Sequence, residues 1–223
     1  KTLGEQLKNI ASNALEASAS DLEIADGVVR VAGTDRVISF ADIAAHPSAS
    51  PDKLRAKEEF SVEPPTYPNG THIAEIEVDP DTGVTSILNY IVVDDFGATL
   101  NPLLLAGQVH GGAVQGIGQA LMESTVYDPA SGQLLSASFM DYAMPRAGDA
   151  PDFVFETRNV PCKTNPLGVK GAGEAGAIGS CPAVVNAIVD ALWRSHRIRH
   201  IDMPATPQRI WQAIRAARAS TAA

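Results

Sequence analysis

THIAEIEVDPDTGVTSILNYIVVDDFG, residues 71–97, is the stretch that decides the fold. Two β-prone runs, Thr71–Val78 and Val84–Val93, flank DPDTG, which puts Pro and Gly where a tight connection between antiparallel strands wants them. Pro102 then opens a helical pattern running to about Glu123, with Leu103, Ala106, His110, Ala113, Ile117 and Leu121 on one stripe. Upstream, residues 46–68 are rich in Pro, Ser and charge and read as a long surface connection. Before it, Leu3, Leu7, Ile10, Ala14 and Leu15 recur at helical spacing and predict a helix over residues 2–17. DLEIADGVVRVAG predicts a hairpin turning at Asp26-Gly27, and Phe40–Ala45 a short helical turn.

Downstream, a shorter hairpin is expected at DPASG, residues 128–132, and a strand at FVFETR, residues 153–158. A helix is expected from about Ala177 to Trp193, and a last one from Pro207 to Ala217 with Thr206 as its cap. Hairpins interleave with helices without a regular βαβ rhythm, so the class is α+β, mixed hairpins and helices. The composition shift near residue 60 divides the chain into residues 1–60, a helix with a small hairpin, and residues 61–223, the larger part.

Composition narrows the function classes. The 223 residues are 45% apolar and carry a formal charge of -9, which argues against a nucleic-acid partner because phosphate binding needs clustered Lys and Arg. The one basic cluster, Arg194–His200, reads as a solvated helix end. Cys162 and Cys181 are not in a CxxC pair, so neither a disulfide framework nor a zinc site is indicated, and a cytoplasmic location is expected. The uncharged run from Phe96 to Met122 contains glycines, glutamines, Pro102 and His110, and no membrane span is expected from it.

The segment NPLGVKGAGEAGAIGSCPAVVNAIVDAL, residues 165–192, holds one carboxylate between Gly171 and Val189, namely Glu174. Such an acid ahead of an apolar helix is either an exposed residue at a glycine-rich helix entry or a carboxyl held in a pocket. Held in a pocket, desolvation would make it a usable general base. Gly171, Gly173 and Gly176 would let the backbone approach a ligand closely. GAGEAG also matches the dinucleotide pattern GxGxxG. Pro161 and Pro166 interrupt the strand that should precede it, Glu174 would oppose a pyrophosphate, and Asp190 comes too early for the ribose contact.

GQVHGGAVQGIGQALME, residues 107–123, places Gln108, Gly111, Gly112, Gln115 and Gln119 on one helix face without an acid or a base. Two readings stay open: a surface for a neutral, hydrogen-bonding ligand such as a pterin, or tight helix-on-helix packing through glycine. His110, on the apolar stripe, reads as a satisfied core histidine rather than a metal ligand. Asp95-Phe96-Gly97 spells the kinase DFG without its companion motifs and reads as a strand end with a turn. Asp141 and Tyr142 read as hydrogen-bonded anchors.

Taken together and in order, GQVHGGAVQGIGQALME, SFMDYAMPRA, NPLGVKGAGEAGAIGSCPAVVNAIVDAL and HIDMPATPQRIWQAI resemble the C-terminal region of the molybdenum hydroxylase large subunit. That family takes in xanthine dehydrogenases, aldehyde oxidoreductases and aerobic carbon monoxide dehydrogenases. The resemblance reaches back through residues 71–97 and loosely to the first helix. It implies that Glu174 is the general base of an oxidative hydroxylation at a molybdenum–molybdopterin centre, and that Gln108 contacts the pterin. It implies that Lys170, Gly171, Ala172 and Gly173 line the loop carrying Glu174, and it assigns no residue of this chain as a metal ligand.

The resemblance further implies a cytosine dinucleotide form of the cofactor if the source is bacterial, with 2Fe–2S centres and FAD on partner subunits. Two cysteines could not ligate a cluster that needs four. With Lys1 where a methionine would begin, the expectation is a fragment whose partners are the upstream half of the large subunit, the iron–sulfur and flavin subunits, and a small-molecule substrate. Apolar faces meeting the absent half could drive self-association. A scaffold that merely docks other subunits, and nucleotide binding at GAGEAG, stand as alternatives.

Overall fold

The structure is a computed structural model that describes residues 1–59, 61 and 65–221. The chain divides into two compact units, Lys1–Ser61 and Val62–Ala223. The boundary expected at 60/61 falls on Phe60, outside the described residues, as does part of the connection over residues 46–68.

In the first unit, helix α1 (Thr2–Leu15) ends where Glu16 takes a left-handed conformation. Strands β1 (Leu22–Ala25) and β2 (Val28–Val31) form the expected hairpin, and both turn residues, Asp26 and Gly27, have positive φ, as a two-residue turn of this hand requires. A third strand, β3 (Val37–Ser39), pairs with β2 and was not legible in the sequence. Ser39 ends it and caps helix α2 (Phe40–Ala45) by accepting from the Asp42 amide. Ile10, Ala11, Leu15, Leu22, Val29 and Ile43 close the core of this unit. Full burial of each larger side chain contributes about 1.5–3 kcal/mol.

The second unit is built on β4 (Asn69–Val78) and β5 (Thr85–Asp95), an antiparallel pair with a register shift between Glu75 and Ile76. Alternation turns His72, Ala74, Ile76 and Val78 of β4 inward, together with Tyr90, Val92 and Asp94 of β5, while Ile73, Glu75 and Glu77 face out. The chain then enters helix α3 (Pro102–Leu121), whose cap Asn101 accepts from the Leu104 amide. It returns through β6 (Phe153–Thr157), which lies parallel to β5. The crossover from β5 through α3 to β6 is thus one βαβ-like unit inside an otherwise α+β arrangement. The DPASG region makes a turn on Asp128 and a single bridge between Tyr127 and Leu134, not the expected hairpin of two strands.

Helix α4 (Ala175–His196) lies on β4 and against α3, and α5 (Pro207–Thr221) packs beside α4. Thr206 caps α5 by accepting from the Arg209 amide. Val184, Ile188 and Leu192 of α4 are buried with Ile210 and Ile214 of α5 in the core of this unit. By length and composition α4 could cross a membrane, with a window of mean hydropathy 1.5, yet here one face of it is core. Its C-terminal end carries the basic cluster, where the Arg197 and Arg199 guanidinium groups lie over the Trp193 ring.

Of the stripe expected on α3, Ala113 and Ile117 are buried and Ala106, His110 and Leu121 half-buried, while Leu103 in the first turn is 81% exposed. The buried face also takes in Val109, Gly112, Gly116, Gly118 and Ala120. Glycine broadens it, because α4 approaches α3 through Gly112, Gly116 and Gly176 more closely than side chains would allow. A Cβ on Gly176 would stand 2.4 Å from the Val109 carbonyl oxygen and 2.6 Å from the Ala113 nitrogen. Of the amide-and-glycine face, Gly112 therefore belongs to helix packing, while Gln108, Gly111 and Gln115 stay exposed.

Candidate functional site

Glu174 is the N-cap position of α4 and its carbonyl accepts the first helical hydrogen bond, from the Ile178 amide at 3.0 Å. Its side chain is exposed and, among the described residues, has no hydrogen-bond partner. Of the two readings of a lone acid at this helix entry, this chain by itself presents the exposed one. The N-terminus of a 22-residue helix lies at its backbone.

Two recesses meet at the loop before Glu174, and Gly173 lines both. One, of about 480 Å³, is walled by Thr66–Gly70, His72, Asp94, Gly171, Glu174 and Ile178. The other, of about 460 Å³, is walled by Phe96, Thr99–Asn101, Leu104, Gln108, Lys170, Ala172 and Gly173. The two helices are tied across the loop where Gln108 Nε2 donates to the Gly173 carbonyl at 3.1 Å. Gly111, Gly171 and Gly173 have nothing within 4 Å of where a Cβ would stand, so the space on that side of each is open. The structure thus brings together Gln108, Lys170, Gly171, Ala172, Gly173 and Glu174 from segments more than sixty residues apart in sequence.

Lys170 is anchored at both ends. Its amide donates to the Phe96 carbonyl, and its ammonium meets Asp95 Oδ2 at 2.6 Å. Asp95 also accepts from the amides of Gly97 and Val160. Burial opposes its ionisation, but the Lys170 hydrogen bond and the two amides outweigh burial and hold the carboxyl below its usual range. The DFG triplet is therefore a strand end with a turn, as expected, and its Asp is the post to which the glycine loop is fastened. The sequence reading did not anticipate that role; the remaining signal was an acid at the inward end of β5.

Replacing Lys170 with Met would leave a buried carboxylate without its cation, at a cost of about 3 kcal/mol at pH 7. Because the folded pKa of Asp95 is lowered, its stabilisation is complete above the unfolded value near ~3.9 and is lost as pH falls through the folded value. Urea midpoints of the two proteins should accordingly converge on acidification. A gap of constant size down to about pH 2 would refute this account.

His110 sits half-buried, stacked on Phe153 at 5.1 Å between ring centroids and edge-on to Phe155. It is a core residue by packing, yet its Nε2 is buried without a partner, so it is not the satisfied histidine expected. Tyr142 donates to Glu123, and Ser138 donates to Asp141 at 3.0 Å, which makes both residues anchors. Cys162 and Cys181 are free thiols, and no metal-binding group of three or more His, Cys, Asp or Glu occurs among the described residues.

Comparison with known proteins places this geometry. The molybdopterin cofactor-binding domain family matches residues 1–151. The chain belongs to this family of molybdenum hydroxylase large subunits. It is 37% identical over 217 residues to the 6-hydroxypseudooxynicotine dehydrogenase complex subunit gamma of Paenarthrobacter nicotinovorans, covering 93% of this chain and 27% of that protein. To the nicotine 6-hydroxylase large subunit of the same organism it is 34% identical over 218 residues, covering 94% of this chain and 26% of that protein. The crystal structure of quinoline 2-oxidoreductase from Pseudomonas putida 86 superposes with a TM-score of 0.84 at 35% identity, over 95% of this chain and 28% of that one. The chain thus spans about a quarter of the length of these relatives.

The residues present suit a molybdopterin. The Gln108 recess offers an amide, the Thr99 hydroxyl, the Asn101 side chain and glycine backbone, a donor and acceptor set for a neutral, hydrogen-bonding ring system. Lys170 adds no free charge to it, because its ammonium is committed to Asp95. The dinucleotide alternative gains nothing, since Gly171–Gly176 follows a loop with one isolated bridge at Val169 rather than a strand.

Proposed function

We propose that this chain supplies the general base and one wall of the molybdopterin site in a molybdenum hydroxylase, with Glu174 as the catalytic residue. The observation that carries this reading is a carboxylate with no hydrogen-bond partner among the described residues, at a helix N-terminus beside a glycine loop on which two recesses meet. Bound on the Gln108 side, the molybdenum cofactor would supply the two-electron redox step of an oxidative hydroxylation. Gln108 and the backbone of Gly171, Ala172 and Gly173 would hold and orient it, and Lys170 would keep the loop in place through Asp95. Glu174 would take up the proton released at the reacting centre on its carboxylate oxygen.

The substrate class is a small molecule with an electrophilic carbon: an aldehyde, an N-heterocycle or carbon monoxide. Relatives named for nicotine and quinoline favour the heterocycle. The cofactor form would be the cytosine dinucleotide in a bacterial source, with 2Fe–2S centres and FAD on partner subunits receiving the electrons. Leu100, Leu103 and Leu104 at the start of α3, exposed by 70–81%, and Phe139 and Met140 offer an apolar face on which the upstream half of the large subunit would sit. That exposure also favours the scaffold reading, in which Glu174 has no chemical part. Glu174→Gln in the assembled enzyme separates the two, since a scaffold keeps its turnover and a general base does not.

A further inference from the structure

His72 and Asp94, which wall the recess that Glu174 also lines, belong to a buried polar cluster that the proposed chemistry does not use. His72 pairs in register with Val92, so strand alternation places Tyr90 and Asp94 on the same inner face, one diagonal step to either side. His72 Nδ1 is 2.9 Å from the Tyr90 hydroxyl, and Nε2 is 3.5 Å from Asp94 Oδ2. The His72 and Asp94 side chains are only 6% and 4% exposed, and Asp94 Oδ2 has no hydrogen-bond partner, which leaves His72 as its one compensating group. The His72 tautomer sets the direction of the Tyr90 bond: with the ring proton on Nε2, toward Asp94, Nδ1 accepts from the Tyr90 hydroxyl. Burial pushes the Tyr90 phenol well above its ordinary range, the Asp94 charge adds to the rise, and the Ser180 hydroxyl of α4 opposes it.

The ring held in this way is the plate on which α4 starts. A Cβ on Gly179 would stand 2.6 Å from Cγ, Cδ2 and Cε1 of His72 alike, so the helix backbone lies directly over the face of the imidazole. Gly70, opposite Asp94 in the register, allows the same close approach from the strand side, where a Cβ would stand 1.9 Å from Asp94 Oδ1. Gly179 sits about one and a half turns beyond Glu174 and one turn beyond Gly176, which meets α3. The height of the helix above the sheet therefore helps to fix where the Glu174 backbone lies, together with the Ile178 amide bonded to its carbonyl and the Gln108 tie to Gly173.

We propose that His72, clamped between Asp94 and Tyr90, is a positioning residue for Glu174, acting through the first turns of α4. This rests on the general-base reading of Glu174. The test has two arms. In the chain itself, amide hydrogen exchange at Ile178–Cys181 is expected to quicken roughly tenfold in His72→Leu and less in Tyr90→Phe, with Val184–Leu192 unchanged. His72→Asn, which keeps an acceptor for the Tyr90 hydroxyl, should restore part of the protection.

In the assembled holoenzyme, kcat should fall roughly tenfold or more in His72→Leu while KM holds within about twofold, with partial recovery in His72→Asn. Exchange that is unchanged, or that quickens evenly along α4, overturns the proposal, as does an unaltered kcat. If Glu174→Gln abolishes turnover but the His72 variants do not reduce it, this inference alone fails. If neither change affects turnover, the reading of Glu174 fails. Should His72→Leu not fold, Tyr90→Phe, which deletes one hydroxyl, carries both measurements.

Discussion

Glu174→Gln in the assembled enzyme is expected to lower kcat by about 10²–10⁴-fold, the range that a positioned proton acceptor contributes. On the free-energy scale this is about 3–5.5 kcal/mol of transition-state stabilisation. The substitution keeps the shape of the side chain and removes only its basicity. Because the carboxylate is exposed and has no partner among the described residues, nothing in the fold depends on its charge, and thermal stability should move by less than about 0.5 kcal/mol. Molybdenum content, measured on the purified assembly, should match the parent protein. Loss of metal together with activity would mean that Glu174 is part of the cradle, and full activity would leave only a scaffold.

The second large effect concerns the glycines. Gly176→Val should cost about 3–5 kcal/mol, or prevent folding of the larger unit, because a Cβ there meets only backbone: the Val109 oxygen at 2.4 Å, the Ala113 nitrogen at 2.6 Å and the Gly112 carbon at 2.8 Å. Backbone cannot change rotamer, so α3 and α4 must separate and uncover the core between them. Gly171→Ala and Gly173→Ala, at positions with open space and no positive φ, should change stability by less than about 0.5 kcal/mol, while loading of the cofactor falls in the assembled enzyme. Urea unfolding together with metal analysis separates the two kinds of glycine. Equal destabilisation at all three positions would refute the distinction.

That contrast also marks where the sequence stopped being readable. GAGEAG gives three glycines of equal appearance, yet one closes a helix crossing and two lie open, a difference set by a partner more than sixty residues upstream. Local signals fared better. Asp26-Gly27, DPDTG, the helix start at Pro102 and the lone acid ahead of an apolar helix were each legible because the physical cause lies within a few residues. The parallel pairing of β6 with β5 was not, since alternation reports which face is buried and says nothing of strand direction.

The apolar stripe of α3 was legible at Ala113 and Ile117, but not at Leu103. Hydrophobicity ranks Leu103 above Gly112, and a close helix crossing reverses that order. The ion pair of Lys170 with Asp95 and the His72 cluster join residues far apart in the chain. Only the parity of His72 with Ala74 and Ile76, and of Asp94 with Val92 and Tyr90, hinted that these polar groups point inward.

Because β5 and β6 run in the same direction, their chains leave the sheet at a common edge, and the segments that follow, 96–101 and 158–174, emerge side by side there. Backbone bonds join them, from Ala98 to Gly168 and from Lys170 to Phe96, and so does the Asn159 side chain, which accepts from the Phe96 amide and donates to the Thr99 hydroxyl. Exchanging this rim between relatives should accordingly preserve the helices beneath only when Asp95, Asn159 and Lys170 travel with it, because their side chains stitch the two segments together.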